Sequence, residues 1–159
     1  MPAVVALVLA ALSGCSQEGP CAGYDVVSGV GVMFDRKGYV DLAGGSYELC
    51  ARGECVRGEL PRRERITHVS LPLPHDVDPD SGPVRFRVTR QGEIRPMIDA
   101  SVDVRLIRQT DGCGSSAYNR GLAFSKEQGL ATRVPKAVGD AWSRQVGSQA
   151  TVDPDPPSE

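Results

Sequence analysis

The stretch YELCARGECVRGEL, residues 47–60, decides how the chain is read. Two alternating segments flank Arg52-Gly53. If the loop is those two residues, Ala51 faces Glu54 as the hydrogen-bonded pair. Cys50 then faces Cys55 as a non-hydrogen-bonded pair, the kind in which side chains come closest. The pattern therefore predicts a β-hairpin with a cross-strand disulfide Cys50–Cys55. Arg-Gly is not the favoured dipeptide for such a turn, so a four-residue loop is the other geometry. The two cysteines stay opposed in both.

Outward from the hairpin, the period-two pattern runs from Tyr24 to about Ser125. VRFRV puts Val84, Phe86 and Val88 on one face and Arg85 and Arg87 on the other. SVDVRLIR sets Val102, Val104 and Leu106 against Asp103 and Arg105. YDVVSGVGVMF places Val26, Val30, Val32 and Phe34 together. Such alternation marks half-buried strands with one wet face. Turn signals recur at Asp35-Arg36-Lys37-Gly38, Gly44-Gly45, Asp80-Ser81-Gly82-Pro83, Gln91-Gly92 and Asp111-Gly112, and 18 Gly and 12 Pro agree with them. The expectation is an all-β chain: a single antiparallel β-sandwich of about seven or eight strands over residues 21–126, at about 24–34, 39–42, 46–51, 54–60, 65–72, 83–90, 100–109 and 117–125. LAGGSYELC, a Gly turn leading into a strand with an aromatic residue, resembles the small immunoglobulin-like or transthyretin-like sandwiches of secreted proteins. A likeness at fold level carries no function. Residues 127–159 end in VDPDPPSE and read as a mostly disordered Pro- and acid-rich tail. The alternatives there are a helical turn around Trp142 and docking of Trp142 on the sandwich.

At the other end, AVVALVLAAL (residues 3–12) contains only Ala, Val and Leu. Ten residues rise about 15 Å as a helix, half of a hydrocarbon core of about 30 Å. The length suits the apolar region of a secretory signal; the competing reading is a buried N-terminal strand. Leu12-Ser13-Gly14-Cys15 resembles the lipobox of bacterial lipoproteins at all four positions, although no Lys or Arg precedes the apolar run. The resemblance implies a signal peptide over residues 1–14, a diacylglyceryl thioether on Cys15 and a short tether over residues 15–20. It also implies lipid anchoring at the extracytoplasmic face of the cell membrane. Two acyl chains, at about 0.8 kcal/mol per buried methylene, suffice for stable anchoring.

Setting Cys15 aside leaves four of the five cysteines, an even number in an exported chain. With Cys50 and Cys55 paired across the hairpin, Cys21 and Cys113 remain and are expected to bridge. Zinc is the competing use of these thiols, but Cys21 and Cys113 form no second close pair, and neither histidine stands at ligand spacing from a cysteine.

The net charge is −2, which offers no general attraction to nucleic acid. Asp76, Asp78 and Asp80 imitate the first half of a calcium-binding loop and are a metal candidate. Ser81 stands where such a loop needs Gly, and Arg87 where it needs a bidentate Glu. The plainer reading is an acidic loop. Arg57, Arg62, Arg63 and Arg65 crowd one strand and turn; they are a binding candidate for an anionic glycan, phospholipid headgroups or an acidic partner. Their plainer role is to guard an edge strand. His68 and His75 are the only histidines, and GCGSSAY with Ser115 and Ser116 is not a G-x-S-x-G elbow. Gly29-Val30-Gly31 lacks the third glycine of a dinucleotide fingerprint, so no cofactor is expected. The expectation is a membrane-anchored binding module of the cell envelope that meets an unknown envelope protein or glycan and is not an enzyme. The alternatives are an envelope hydrolase using His68 or His75 with a nearby Ser, and a purely structural envelope component.

Overall fold

The computed structural model describes residues 26–110 and 114–150. Among them the chain is mostly β, with two sheets and one short helix. Strands β1 (Gly29–Asp35), β2 (Ser46–Ala51), β3 (Glu54–Glu59), β4 (Ile66–Pro72), β5 (Gly82–Thr89), β6 (Ile98–Val104), β7 (Ile107–Thr110), β8 (Ser116–Ser125) and β9 (Gly129–Ala131) precede helix α1 (Lys136–Ala150). One sheet has the order β4-β1-β8-β7, with β9 also paired to β8; the other is β3-β2-β5-β6.

The alternation dictates which side chains meet between the sheets. Val30, Val32 and Phe34 of β1 and Val84, Phe86 and Val88 of β5 are buried in one core, with Leu49, Val69, Leu122 and Phe124. All three phenylalanines of the chain cluster there. Phe34 lies 5.6 Å from Phe86 and 5.8 Å from Phe124, ring centre to ring centre, and Phe86 lies 5.9 Å from Phe124. The tilted rings suit the aromatic quadrupole, and they join β1 and β8 of one sheet to β5 of the other.

The hairpin has its two-residue loop. Arg52 (φ 55°) and Gly53 (φ 84°) both take positive φ, as a type I′ turn requires. The register pairs Cys50 with Cys55, and the two are disulfide-bonded. A non-glycine residue in this conformation is uncommon; what it gains is contact. The Arg52 guanidinium donates to the carbonyls of Asp78 (3.3 Å), Asp80 and Val104 (3.1 Å), strapping the loop after β4 to the hairpin tip.

Several expectations are corrected. The architecture is not purely antiparallel: β1 and β8 pair in parallel, Gly29 opposite Asn119 through Phe34 opposite Phe124. Parallel neighbours need a long crossover, and here most of the domain lies between them. The single strand expected over 100–109 is two. The chain leaves one sheet after Val104 and enters the other at Ile107. Buried Leu106, whose N–H donates to Pro79 O at 2.9 Å, pins the crossing. Residues 40–42 form a 3-10 turn rather than a strand.

Residues 129–150 are not a disordered tail but β9 and α1. Val138, Ala141, Trp142 and Gln145 recur at the spacing of one helical face. Val138 and Ala141 are buried against Ile66, with Met33 and Trp142 packed around them. Gln145 completes the stripe through its amide: Oε1 accepts from Ile66 N–H (3.0 Å) and Nε2 donates to Ile66 C=O (2.9 Å). The helix thus docks on edge strand β4, and the Trp142 ring lies 6.0 Å from that of His68.

Candidate functional site

Strand direction gathers basic residues at one end of the two-sheet body. The turn after β1 carries Arg36 and Lys37, and the link from β3 to β4 carries Arg62, Arg63 and Arg65. These five line a shared cleft of about 440 Å³ with Gly38, Tyr39 and Ala43. Arg36 N–H donates to Arg65 C=O at 3.0 Å, continuing the β1–β4 ladder and holding the two segments together.

The cations divide into those already bonded and those left free. Arg65 makes a two-pronged pair with Asp35, Nε to Oδ1 at 3.0 Å and Nη2 to Oδ2 at 2.9 Å. The Asp35 carboxylate is only 6% exposed and also accepts from Lys37 N–H at 3.0 Å. Burial pushes its pKa up, but the bonds from Arg65 and Lys37 and their charges outweigh burial and hold it below the usual carboxylate value. The hydrogen bonds to Asp35 raise Arg65 in turn, and Glu127 adds a smaller pull. Arg36 spends its guanidinium on the carbonyls of Pro61 (2.5 Å) and Arg62 (3.1 Å), fixing the loop without neutralising its own charge. Arg62 donates to Gln91 Oε1 at 3.3 Å. The exposed side chains of Lys37 and Arg63 make no ion pair or side-chain hydrogen bond among the described residues.

Tyr39 forms the apolar side of the cleft. Its ring packs 6.3 Å from both Phe34 and Phe124, and the Lys126 ammonium sits 5.5 Å from its centre. Burial, then the Glu127 charge, pushes the phenol up. Gly38, at φ 84°, lets the turn pass under Lys126; a Cβ there would come within 2.9 Å of that side chain. The arrangement offers planar guanidinium forks and an exposed ammonium around a concavity, which is the chemistry of carboxylate and phosphate recognition.

Of the four arginines singled out in the sequence, Arg62, Arg63 and Arg65 converge on this cleft and Arg57 does not. Arg57 belongs to an alternating charge chain across the outer face of the second sheet, Arg57–Glu48–Arg87–Asp99–Arg85. The bond from Arg85 lowers Asp99, with Arg87 adding to it. Arg36 and Lys37 were missed because their segment reads only as a turn, and the partner loop lies some 25 residues further on.

Asp76, Asp78 and Asp80 sit at the opposite end. Asp78 Oδ1 accepts from Asp80 N–H at 2.9 Å and Asp80 pairs with Arg105 at 3.5 Å. Among the described residues no group of three His, Cys, Asp or Glu is placed to hold a metal. His68 and His75 are exposed, and neither hydrogen-bonds to a serine or carboxylate among those residues. Ser115 is exposed and Ser116 opens β8. Cys15, Cys21 and Cys113 lie outside the described residues, and with them the signal segment, the anchor and the Cys21–Cys113 bridge. No helix among the described residues is long and apolar enough to cross a membrane. Comparison of the chain with protein-family models, with curated proteins and with solved structures gave no match.

Proposed function

We propose that the chain is an exported lipoprotein, acylated on Cys15 and held at the extracytoplasmic face of the cell membrane. Its folded domain acts by binding rather than catalysis, taking an anionic group into the cleft between Arg36, Lys37, Arg62 and Arg63. The scaffold is proposed to be an immunoglobulin-like or transthyretin-like sandwich. Its two-layer arrangement supports that class, and the parallel β1–β8 pairing is its departure from a purely antiparallel plan. The observation that carries the binding role is the cleft itself: five basic side chains line it, and among the described residues only Arg65 forms an ion pair with a carboxylate, while Lys37 and Arg63 form none. The lipobox residues Leu12-Ser13-Gly14-Cys15 support the anchor.

Titration with inorganic phosphate, followed by amide NMR, tests the cleft. Shifts at Lys37, Gly38 and Arg63 are expected; shifts confined to other surfaces refute it. Mass spectrometry of the membrane fraction tests the anchor. A diacylglyceryl-modified Cys15 peptide is expected, and an unmodified Met1 peptide from soluble protein refutes it.

A further inference from the structure

We infer that the ligand of this cleft is a linear polyanion lying beyond the bilayer, not the headgroups of the membrane that holds the chain. The inference rests on the anchored, anion-binding reading above and on the Cys21–Cys113 bridge expected from the sequence, and adds the ligand's class and position. Its first ground is stoichiometric. After Asp35 answers Arg65, four cations of the cleft lining remain: Arg36, Lys37, Arg62 and Arg63. The nearby carboxylates of Asp41 and Glu93 are both engaged by Arg90, Glu127 acts on Arg65, and Glu64, between Arg63 and Arg65, is not part of the cleft lining. A single small anion would leave most of that charge unanswered; a chain of repeating phosphates or carboxylates would not.

The second ground is direction. β1 runs from Gly29 towards the cleft, which begins at Arg36. Its six steps of about 3.3 Å put the entry of the chain some 20 Å from that end. β8 is parallel to β1, so Gly114 and Ser115 also lie at the entry end. The bridge expected between Cys21 and Cys113 would therefore fasten the tether there, six residues from Cys15. The entry end presents exposed Asp76, Asp78 and Asp80. The field of an anionic membrane surface falls off within a Debye length of about 8 Å, so it does not reach a cleft about 20 Å further out. A domain tethered by that end stands with its carboxylates towards the bilayer and its free cations away from it.

The test uses the full lipidated chain, anchored on phosphatidylcholine vesicles or on vesicles rich in phosphatidylglycerol, and inorganic polyphosphate as probe. Polyphosphate is expected to bind with similar affinity on both surfaces. Raising salt from about 50 to about 200 mM is expected to weaken binding about fiftyfold, as four displaced counterion contacts predict. K37A/R63A, which removes two exposed side chains, is expected to lose about tenfold, and R57A nothing. If phosphatidylglycerol competes with polyphosphate for the cleft, the bilayer is the ligand and the inference is overturned while the anion site stands. If K37A/R63A binds polyphosphate as the wild type does, the anion site itself is refuted.

Discussion

Replacing Gln145 by Ala is expected to release α1 from the sheet while leaving the two-sheet body folded. The amide makes two bonds to one residue, accepting from Ile66 N–H and donating to Ile66 C=O. Each is worth about 1 kcal/mol net, so the substitution costs about 2 kcal/mol. That loss is large against what else holds the helix. Only Val138 and Ala141 are fully buried on its contact face. Gly139 and Gly147 each disfavour a helix by about 1 kcal/mol relative to Ala, and a 15-residue helix is marginal in isolation. Trp142 is the single tryptophan of the chain and lies on the docked face, so its emission reports the helix directly. A red shift is expected in the Gln145→Ala variant. Exchange of the Ile66 amide, whose partner is Gln145, is expected to rise about thirtyfold, the factor that corresponds to about 2 kcal/mol. Wild-type emission together with wild-type exchange at Ile66 would refute the view that this amide docks the helix.

Asp35→Asn is expected to cost about 1–2 kcal/mol by urea unfolding at neutral pH, less than a fully buried pair would because Arg65 is 42% exposed. The folded-state pKa of Asp35 lies below its unfolded value of about 3.9, so its contribution is complete above that value and drains away as pH falls through the folded one. The variant should flatten this acid limb, and an unchanged limb would count against the pairing. Replacing both Cys50 and Cys55 by Ser is expected to cost about 2 kcal/mol on the loop-closure relation for so short a loop. Near-UV circular dichroism should show the fold retained; global unfolding would contradict a peripheral bridge. Arg52→Ala is expected to cost about 1–2 kcal/mol and to speed exchange of the Leu106 amide, because the loop that holds it loses its guanidinium strap. Unchanged exchange would show that the loop is held by other means.

The β-sheets were legible because strict alternation has one physical meaning when a single face is buried. Val84, Phe86 and Val88 point inward as their spacing requires. The hairpin was legible for the same reason, with two opposed cysteines to set its register. The crossing at Leu106 was not, because alternation continues through it and only the partner strand changes. The parallel contact of β1 with β8 leaves no local trace at all. Helix α1 was obscured by two glycines and by a stripe whose last member, Gln145, docks through hydrogen bonds rather than apolar surface. Three of the five cleft cations were visible as arginines close in sequence. The other two, Arg36 and Lys37, join them only because β1 and β4 are antiparallel partners that end together.

The Gln145 clamp also decides what can grow on the open side of β4. Residues 65, 67, 69, 71 and 73 turn their backbone groups towards β1, as the bonds at Arg65 and Leu73 show, which leaves Ile66, His68, Ser70 and Pro72 facing outward. Ile66 is sealed by the amide of Gln145, and Pro72 has no N–H to offer. A strand arriving from another molecule would find two consecutive footholds, too few to start a ladder. The helix therefore guards the β4 edge against pairing with another sheet, and its release would expose that edge as well as a tryptophan.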